Sequence, residues 1–242
     1  MSKNKTKPRS HRRPGRRRRL GNGLTLSLHE GPPLGPGVVA ASPEEVMAAI
    51  GRLDPDLPWA KVRDMIVPMM PRVRPYPAPA PDPVRMLLPP GILVGFGIDI
   101  GPALTVVGSG LLETWDIDLG LLAGTALDNL RSRAEACNPG QIHRDAVADV
   151  PVDLLQTGGG FAASLLLVPN HIERLFGAGP HLLVAPMRDI LIALPADVDQ
   201  EFASWLSEEF EVLDPNHLHL GGFHHERGVV TPVSIEETLA QA

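Results

Sequence analysis

A single cysteine, Cys137, is the only thiol in 242 residues. One thiol excludes an intramolecular disulfide and every zinc site that needs two thiolates. Aromatic residues are also scarce, at 4%, and none lies in the first 41 positions, so that region has no base-stacking platform. No acidic residue precedes Glu30. Long hydrophobic runs are missing too. The most apolar stretch, Leu87 to Leu112, is broken by Pro89, Pro90, Asp99 and Pro102, whereas a membrane helix needs about 20 apolar residues in a row. The basic start leads into Leu20-Gly21-Asn22-Gly23 rather than an apolar segment, so no secretory signal is read. The expected location is the cytoplasm, with no membrane contact.

Nucleotide-binding and nucleophile motifs are absent as well. The run Gly158-Gly159-Gly160 lacks the Gly-Lys-Ser/Thr ending of a P-loop and the spaced glycines of a dinucleotide fold, and reads as a turn. Ser164 has no Gly-x-Ser-x-Gly surroundings and reads as a serine that bonds the backbone at a helix start. Cys137 ends a helix, where the dipole disfavours a thiolate. Asp116 and Asp118 read as helix caps, and Asp189 as a turn residue. These readings assign no catalytic residue and no organic cofactor.

What the sequence does have is proline (26), glycine (24) and a strong separation of charge. Ten of the 22 Lys and Arg fall between Lys3 and Arg19, which leaves 12 basic against 28 acidic residues in the remainder, a net of −16. An acidic body repels nucleic acid and anionic membranes. Residues 1–20, in contrast, can attract nucleic acid weakly and without sequence preference, by counterion release.

Residues 1–41 read as a disordered basic tail followed by a Pro/Gly spacer, because neither part can bury apolar area. A helical extension is expected over 42–70. Ser42 caps its first helix, Pro43 takes the first helical position and Glu45 closes a capping box. A second helix is expected from Leu57 to Val67, with Trp59, Val62 and Ile66 on one face and Pro68 ending it. Residues 71–90 hold eight prolines and read as an extended connector and stiff spacer.

The core is expected over 91–235 as an α+β fold, a mostly antiparallel sheet covered by helices. Strands are predicted at Ile92–Ile98, Leu104–Val107 and Val152–Leu155. A helix capped by Asp118 runs from Leu119 to about Cys137, with Leu119, Leu122, Ala126, Leu130 and Ala134 inward. A short helix is predicted over His171–Phe176. Leu182–Ala185 and Ile190–Leu194 are continuous apolar runs around a turn, which predicts a hairpin buried on both faces. A helix capped by Asp197 follows to Phe210, and a last hairpin spans His217–Thr231.

That last hairpin carries the one cluster with ligand chemistry. A turn at Gly221-Gly222 pairs His219 with His224 and His217 with Glu226. Alternation then places His217, His219, His224 and Glu226 on one face, a donor set suited to Zn²⁺. A polar, histidine-rich outer face is the other reading of the same four residues.

The segments Thr114-Trp115-Asp116-Ile117, Ala126-Leu127-Asp128-Asn129-Leu130, Ala163-Ser164-Leu165-Leu166-Leu167 and Val184-Ala185-Pro186-Met187-Arg188-Asp189-Ile190-Leu191 occur in that order. Together they resemble the bacterial YtpQ-type proteins, a domain family of unknown function, over about residues 58–231. The family's acid-rich turn before Ser164 is replaced here by three glycines. The resemblance implies an α+β fold and a bacterial source, and it implies no chemistry. Taken together, the sequence leads to the expectation of a non-catalytic binding or interaction module with a protein partner. Zinc binding through the histidines and nucleic-acid contact through the tail are the alternatives.

Overall fold

The computed structural model describes residues 44–45, 48, 57–70, 82–89, 91–101, 104–213, 217–218 and 220–233. The tail and spacer read over 1–41, and the centre of the proline connector, lie outside the described residues. Glu44, Glu45 and Ala48 are helical, where the Ser42-Pro43 signal starts a helix.

The fold is α+β, built on two antiparallel sheets. The smaller contains β1 (Ile66–Met69), β2 (Arg85–Leu88), β3 (Ile92–Asp99) and β4 (Leu104–Val106). β1 lies along one side of β3, and β2 and β4 follow one another along the other. The larger contains β5 (Ile142–Val147), β6 (Val150–Gln156), β7 (His181–Met187), β8 (Ile190–Pro195), β9 (Gly222–Glu226) and β10 (Val229–Pro232). Its order is β10-β9-β7-β8-β6-β5. Besides the helical residues near Glu44, five helices accompany them among the described residues: α1 (Trp59–Val62), α2 (Ser109–Trp115), α3 (Leu119–Ala136), α4 (Pro169–Phe176) and α5 (Gln200–Glu211).

The apolar hairpin β7–β8 is central, and both of its faces are covered. On the inner face Leu183, Ala185, Leu191 and Ala193 share a core with Leu122, Ala126 and Leu130 of α3 and with Ile66, Val94 and Phe96 of the small sheet. On the outer face Leu182, Val184, Ile190, Ile192 and Leu194 pack against Ala203, Leu206 and Phe210 of α5. Two-sided burial explains why these strands show no polar alternation.

Helix α3 begins and ends as its residues dictate. The Asp118 carboxylate accepts the Leu121 N–H at 2.7 Å, which satisfies one of the unpaired first-turn donors. At the other end Arg174 of α4 donates to the carbonyls of Ala134 (2.6 Å) and Cys137 (2.9 Å). Of the expected inward stripe, Leu122, Ala126, Leu130 and Ala134 are buried, with Ala123 added, while Leu119 is only half-buried.

Several expectations are corrected. The helix read from Leu57 to Val67 stops at Val62, passes through a 3-10 turn (Arg63–Met65) and becomes β1. The Asn129 side-chain amide on α3 donates to the Arg63 and Ile66 carbonyls at 2.7 and 2.9 Å, so these acceptors are used outside a helix. Pro68 then lies inside β1 rather than ending a helix. It is tolerated because β1 pairs with β3 alone among the described strands, leaving one edge free of ladder bonds. Likewise the stretch read as an extended connector over 71–90 contains β2, which pairs Arg85–Leu88 with Ile92–Gly95. Helix α2 and strand β5 carry weak patterns, the first with a glycine at its second position and the second as a polar edge strand, and neither is legible in the sequence. Asp116 ends α2 in the left-handed region (φ 51°) instead of capping a start. The cap of α5 is Asp199, which accepts the Glu201 N–H at 2.9 Å, in place of Asp197.

Ile192 is fully buried in β8, between β7 and β6 and under α5. Ile192→Asp should abolish soluble expression. An unpaired carboxylate there costs several kcal/mol against a typical total stability of about 5–15 kcal/mol. A soluble variant with native circular dichroism would contradict the central placement of β8.

Candidate functional site

The last hairpin does not turn where the glycines suggest. β9 starts at Gly222, and the turn lies at Arg227-Gly228, both with positive φ (50° and 72°), as a two-residue hairpin turn requires. The pairs are Glu226 with Val229, His225 with Val230, His224 with Thr231 and Phe223 with Pro232. This replaces the register that set His219 opposite His224 and His217 opposite Glu226. The cause lies on the other side of β9, where β7 pairs Leu183 with Phe223 and His181 with His225 and buries both β9 residues. His224 and Glu226 point outward and are exposed, and Glu226 lies 3.6 Å from the Arg227 guanidinium. His217 is half-buried beside Leu218, whose N–H donates to the Pro186 carbonyl. His219 lies outside the described residues. Among the described residues no group of three or more His, Cys, Asp or Glu is arranged to hold a metal ion.

The glycine run has a defined internal role. Asp189, in the β7–β8 turn, accepts the N–H groups of Gly158 and Gly160, each at 2.9 Å, and the Thr157 hydroxyl. Gly158 and Gly160 have φ of 71° and 69°, so successive N–H groups converge on one point. Such a concave run of N–H groups is an anion nest, and here the anion is the protein's own carboxylate. Burial pushes the Asp189 carboxyl above the usual range, while the bonds from Thr157, Gly160, Gly158 and Gln156 pull it back down. The run is therefore a clasp that ties the β6 exit to the β7–β8 turn.

Other residues of chemical type are likewise engaged. The buried Ser164 hydroxyl donates to the Pro68 carbonyl of β1 at 3.0 Å, a distant strand rather than the helix start expected of it. Cys137 is buried, its sulfur 3.7 Å from the Arg133 carbonyl, and burial raises its pKa.

One pair of titratable side chains was not legible in the sequence. His181, at the start of β7, and His225, within β9, are directly opposed across the ladder. Their Nδ1 atoms are 3.5 Å apart, their ring centres 5.7 Å apart, and their planes lie within 16° of one another. The two distances differ by about one ring width. Each Nδ1 must therefore lie near the line joining the centres, and the rings meet edge to edge, nitrogen facing nitrogen. His225 has 0% exposure, whereas His181 is half-buried.

No protein-family model, curated protein or solved structure matches the chain.

The backbone seats the pair tightly. A Cβ on Gly179 (φ +89°) would meet the His225 carbonyl at 2.7 Å, and the Arg227 N–H donates to the Ala178 carbonyl. The loop before β7 therefore lies directly against β9. His225 Nε2 is buried with no partner among the described residues. Burying a bare lone pair is less costly than burying an N–H without an acceptor, so we assign the His225 proton to Nδ1, facing His181. Burial lowers the pKa of both rings. His181 lowers that of His225 further, while the charges of Asp153 on His181 and Glu173 on His225 act upward.

Two outcomes follow. Asp189→Ala leaves the Gly158 and Gly160 donors unmatched and should cost roughly 1–3 kcal/mol, measured by denaturant unfolding; an unchanged midpoint would remove the clasp. A histidine whose folded pKa is depressed takes up its proton more readily in the unfolded chain. Stability is then fully present above the unfolded value of about 6.5 and is lost as pH falls below it. His171, also depressed, acts with the same sign. Unfolding curves should show this acid-side loss, shallower in His181→Gln, and equal slopes would contradict the assignment.

Proposed function

We propose that the protein is a non-catalytic interaction module of the bacterial cytoplasm, an acidic α+β body that carries a basic N-terminal arm. The observation that supports this reading is how the polar groups are used. Asp189 holds a glycine loop, Ser164 and Asn129 hold β1, Arg174 holds the end of α3, and the Trp115 indole N–H donates to the Leu57 carbonyl at 2.9 Å. These are the residue types from which catalytic pairs are built, and each is spent on joining one element to another. No described helix is long and apolar enough to cross a membrane, and the lone unpaired cysteine suits a reducing compartment.

The surface chemistry fits charge-driven contact. Between Asp189 and Glu226 the chain contains no Lys or Arg. Helix α5 presents Glu201 and Glu208 to solvent, with the half-buried Phe202 and Trp205 rings 5.6 Å apart beside them. Nucleic-acid association is the second reading, favoured by the ten basic residues between Lys3 and Arg19.

One experiment tests both. Tagged full-length protein and a version beginning at residue 42 are recovered from cells at about 50 and about 200 mM salt, a range over which phosphate contacts weaken steeply. The interaction reading expects a defined protein partner in stoichiometric amount, insensitive to nuclease. Nucleic acid lost with the arm or with salt would replace it by the second reading. No specific companion for either version overturns both.

A further inference from the structure

We propose that His181 and His225 form a linear two-imidazole binding site for a monovalent d10 cation, Cu⁺ being the biological candidate. The proposal does not depend on the interaction reading.

The separation of the two nitrogens is the first ground. With the His225 proton on Nδ1, the pair makes at best a long hydrogen bond, since N–H donors usually lie about 2.7–3.2 Å from an oxygen acceptor. At 3.5 Å this pair is wider than that. A two-coordinate cation with bonds slightly shorter than the roughly 2.0–2.1 Å of zinc–imidazole sites needs about 3.7–4.0 Å between its donors. The rings need to part by only a few tenths of an ångström.

Direction is the second ground. Because the rings are nearly parallel and each Nδ1 lies on the side of its ring nearest the other, the two Nδ1 atoms face one another across the gap. That is the donor arrangement of a linear complex. Zn²⁺ takes four ligands in a tetrahedron, which would require both lone pairs to point off this line and at least one more protein donor. No third His, Cys, Asp or Glu completes such a group among the described residues. Imidazole suits copper, and Cu⁺ is satisfied by two donors in line.

The surroundings provide the rest. Directly opposed positions on paired strands hold the donors without loop ordering, and the backbone of Gly179 packs against the His225 carbonyl. His225 is enclosed while His181 is half-open, so the cation enters from the His181 side. Binding requires both Nδ1 atoms to be bare. The His225 proton therefore moves from Nδ1 to Nε2, no proton is released, and copper does not change oxidation state. The new Nε2–H needs an acceptor. No described group bonds Nε2 in the metal-free protein, so an acceptor must move to it on binding, as a carboxylate supplies behind many ligating imidazoles.

The test uses the full chain. Cu⁺ is titrated anaerobically against a chromogenic bicinchoninate competitor in wild type, His181→Gln, Cys137→Ser and a His217→Ala/His219→Ala/His224→Ala triple variant. Wild type should take one equivalent, the Cys137 and triple variants the same, and His181→Gln should bind roughly tenfold more weakly or worse. Equal binding in His181→Gln, or a loss that follows Cys137 or the triple variant, overturns the site. One equivalent of Zn²⁺ bound with the same dependence on His181 also overturns it, since that requires a tetrahedral centre. A readout independent of variant folding comes from imidazole ¹⁵N spectra of wild type with one equivalent of Ag⁺, a redox-stable d10 probe. One-bond silver coupling at Nδ1 of both His181 and His225 is expected, and its absence ends the proposal.

Discussion

Burial of β7 and β8 on both faces is the condition the rest of the structure meets. Each fully enclosed Leu, Ile or Val contributes about 1.5–3 kcal/mol only if both sheet faces are shielded from water. A single helix, α5, shields the outer face with Ala203, Leu206 and Phe210. The inner face is covered by more elements. The 3-10 turn at Ala163–Leu167 lies against β7, and helix α3, which packs on β1, shares the same core with the small sheet through Leu122, Ile66, Val94 and Phe96. The small sheet is thus the far wall of the one core that the central hairpin demands.

Polar contacts fasten these layers at a few points. Asp189 draws in the Gly158–Gly160 run, and the Arg188 carbonyl in the same turn accepts the Ala163 N–H at 3.0 Å. The loop after β6 is thereby led into the 3-10 turn. Ser164, in that turn, reaches the Pro68 carbonyl of β1, which joins the large sheet's loop to the small sheet. Arg174 closes the C-terminus of α3 from α4. Each bond contributes modestly when formed and costs more when left unmade in the interior, so together they select one arrangement of otherwise interchangeable apolar surfaces.

The same logic explains which parts were legible. Asp118 and the stripe Leu122-Ala126-Leu130-Ala134 specify α3 from local information, because a cap and a 3.6-residue period need no partner. The apolar runs of β7 and β8 announce a doubly covered hairpin for the same reason. β1 is different. Trp59, Val62 and Ile66 have helical spacing, yet Ile66 to Met69 pair with β3, and only that pairing and the Asn129 amide convert the segment to a strand. The last hairpin failed likewise. Gly221-Gly222 is the stronger local turn signal, but β9 is held by β7, and burial of Phe223 beside Leu183 sets the register.

By itself the sequence determined the α+β class, the central buried hairpin, the cap and inner face of α3, and the separation of a basic N-terminus from an acidic remainder, all of which follow from local periodicity and composition. Only the tertiary structure decided which histidines meet. His181 and His225 are 44 residues apart, and nothing near either one marks the other. They become neighbours because β7 accepts β9 as its second partner, in a register chosen by packing. The glycine run met the same fate, its N–H groups enclosing Asp189 from 29 and 31 residues away. Contacts between distant strands are set by the total burial they allow, and that sum is visible only when the whole core is assembled.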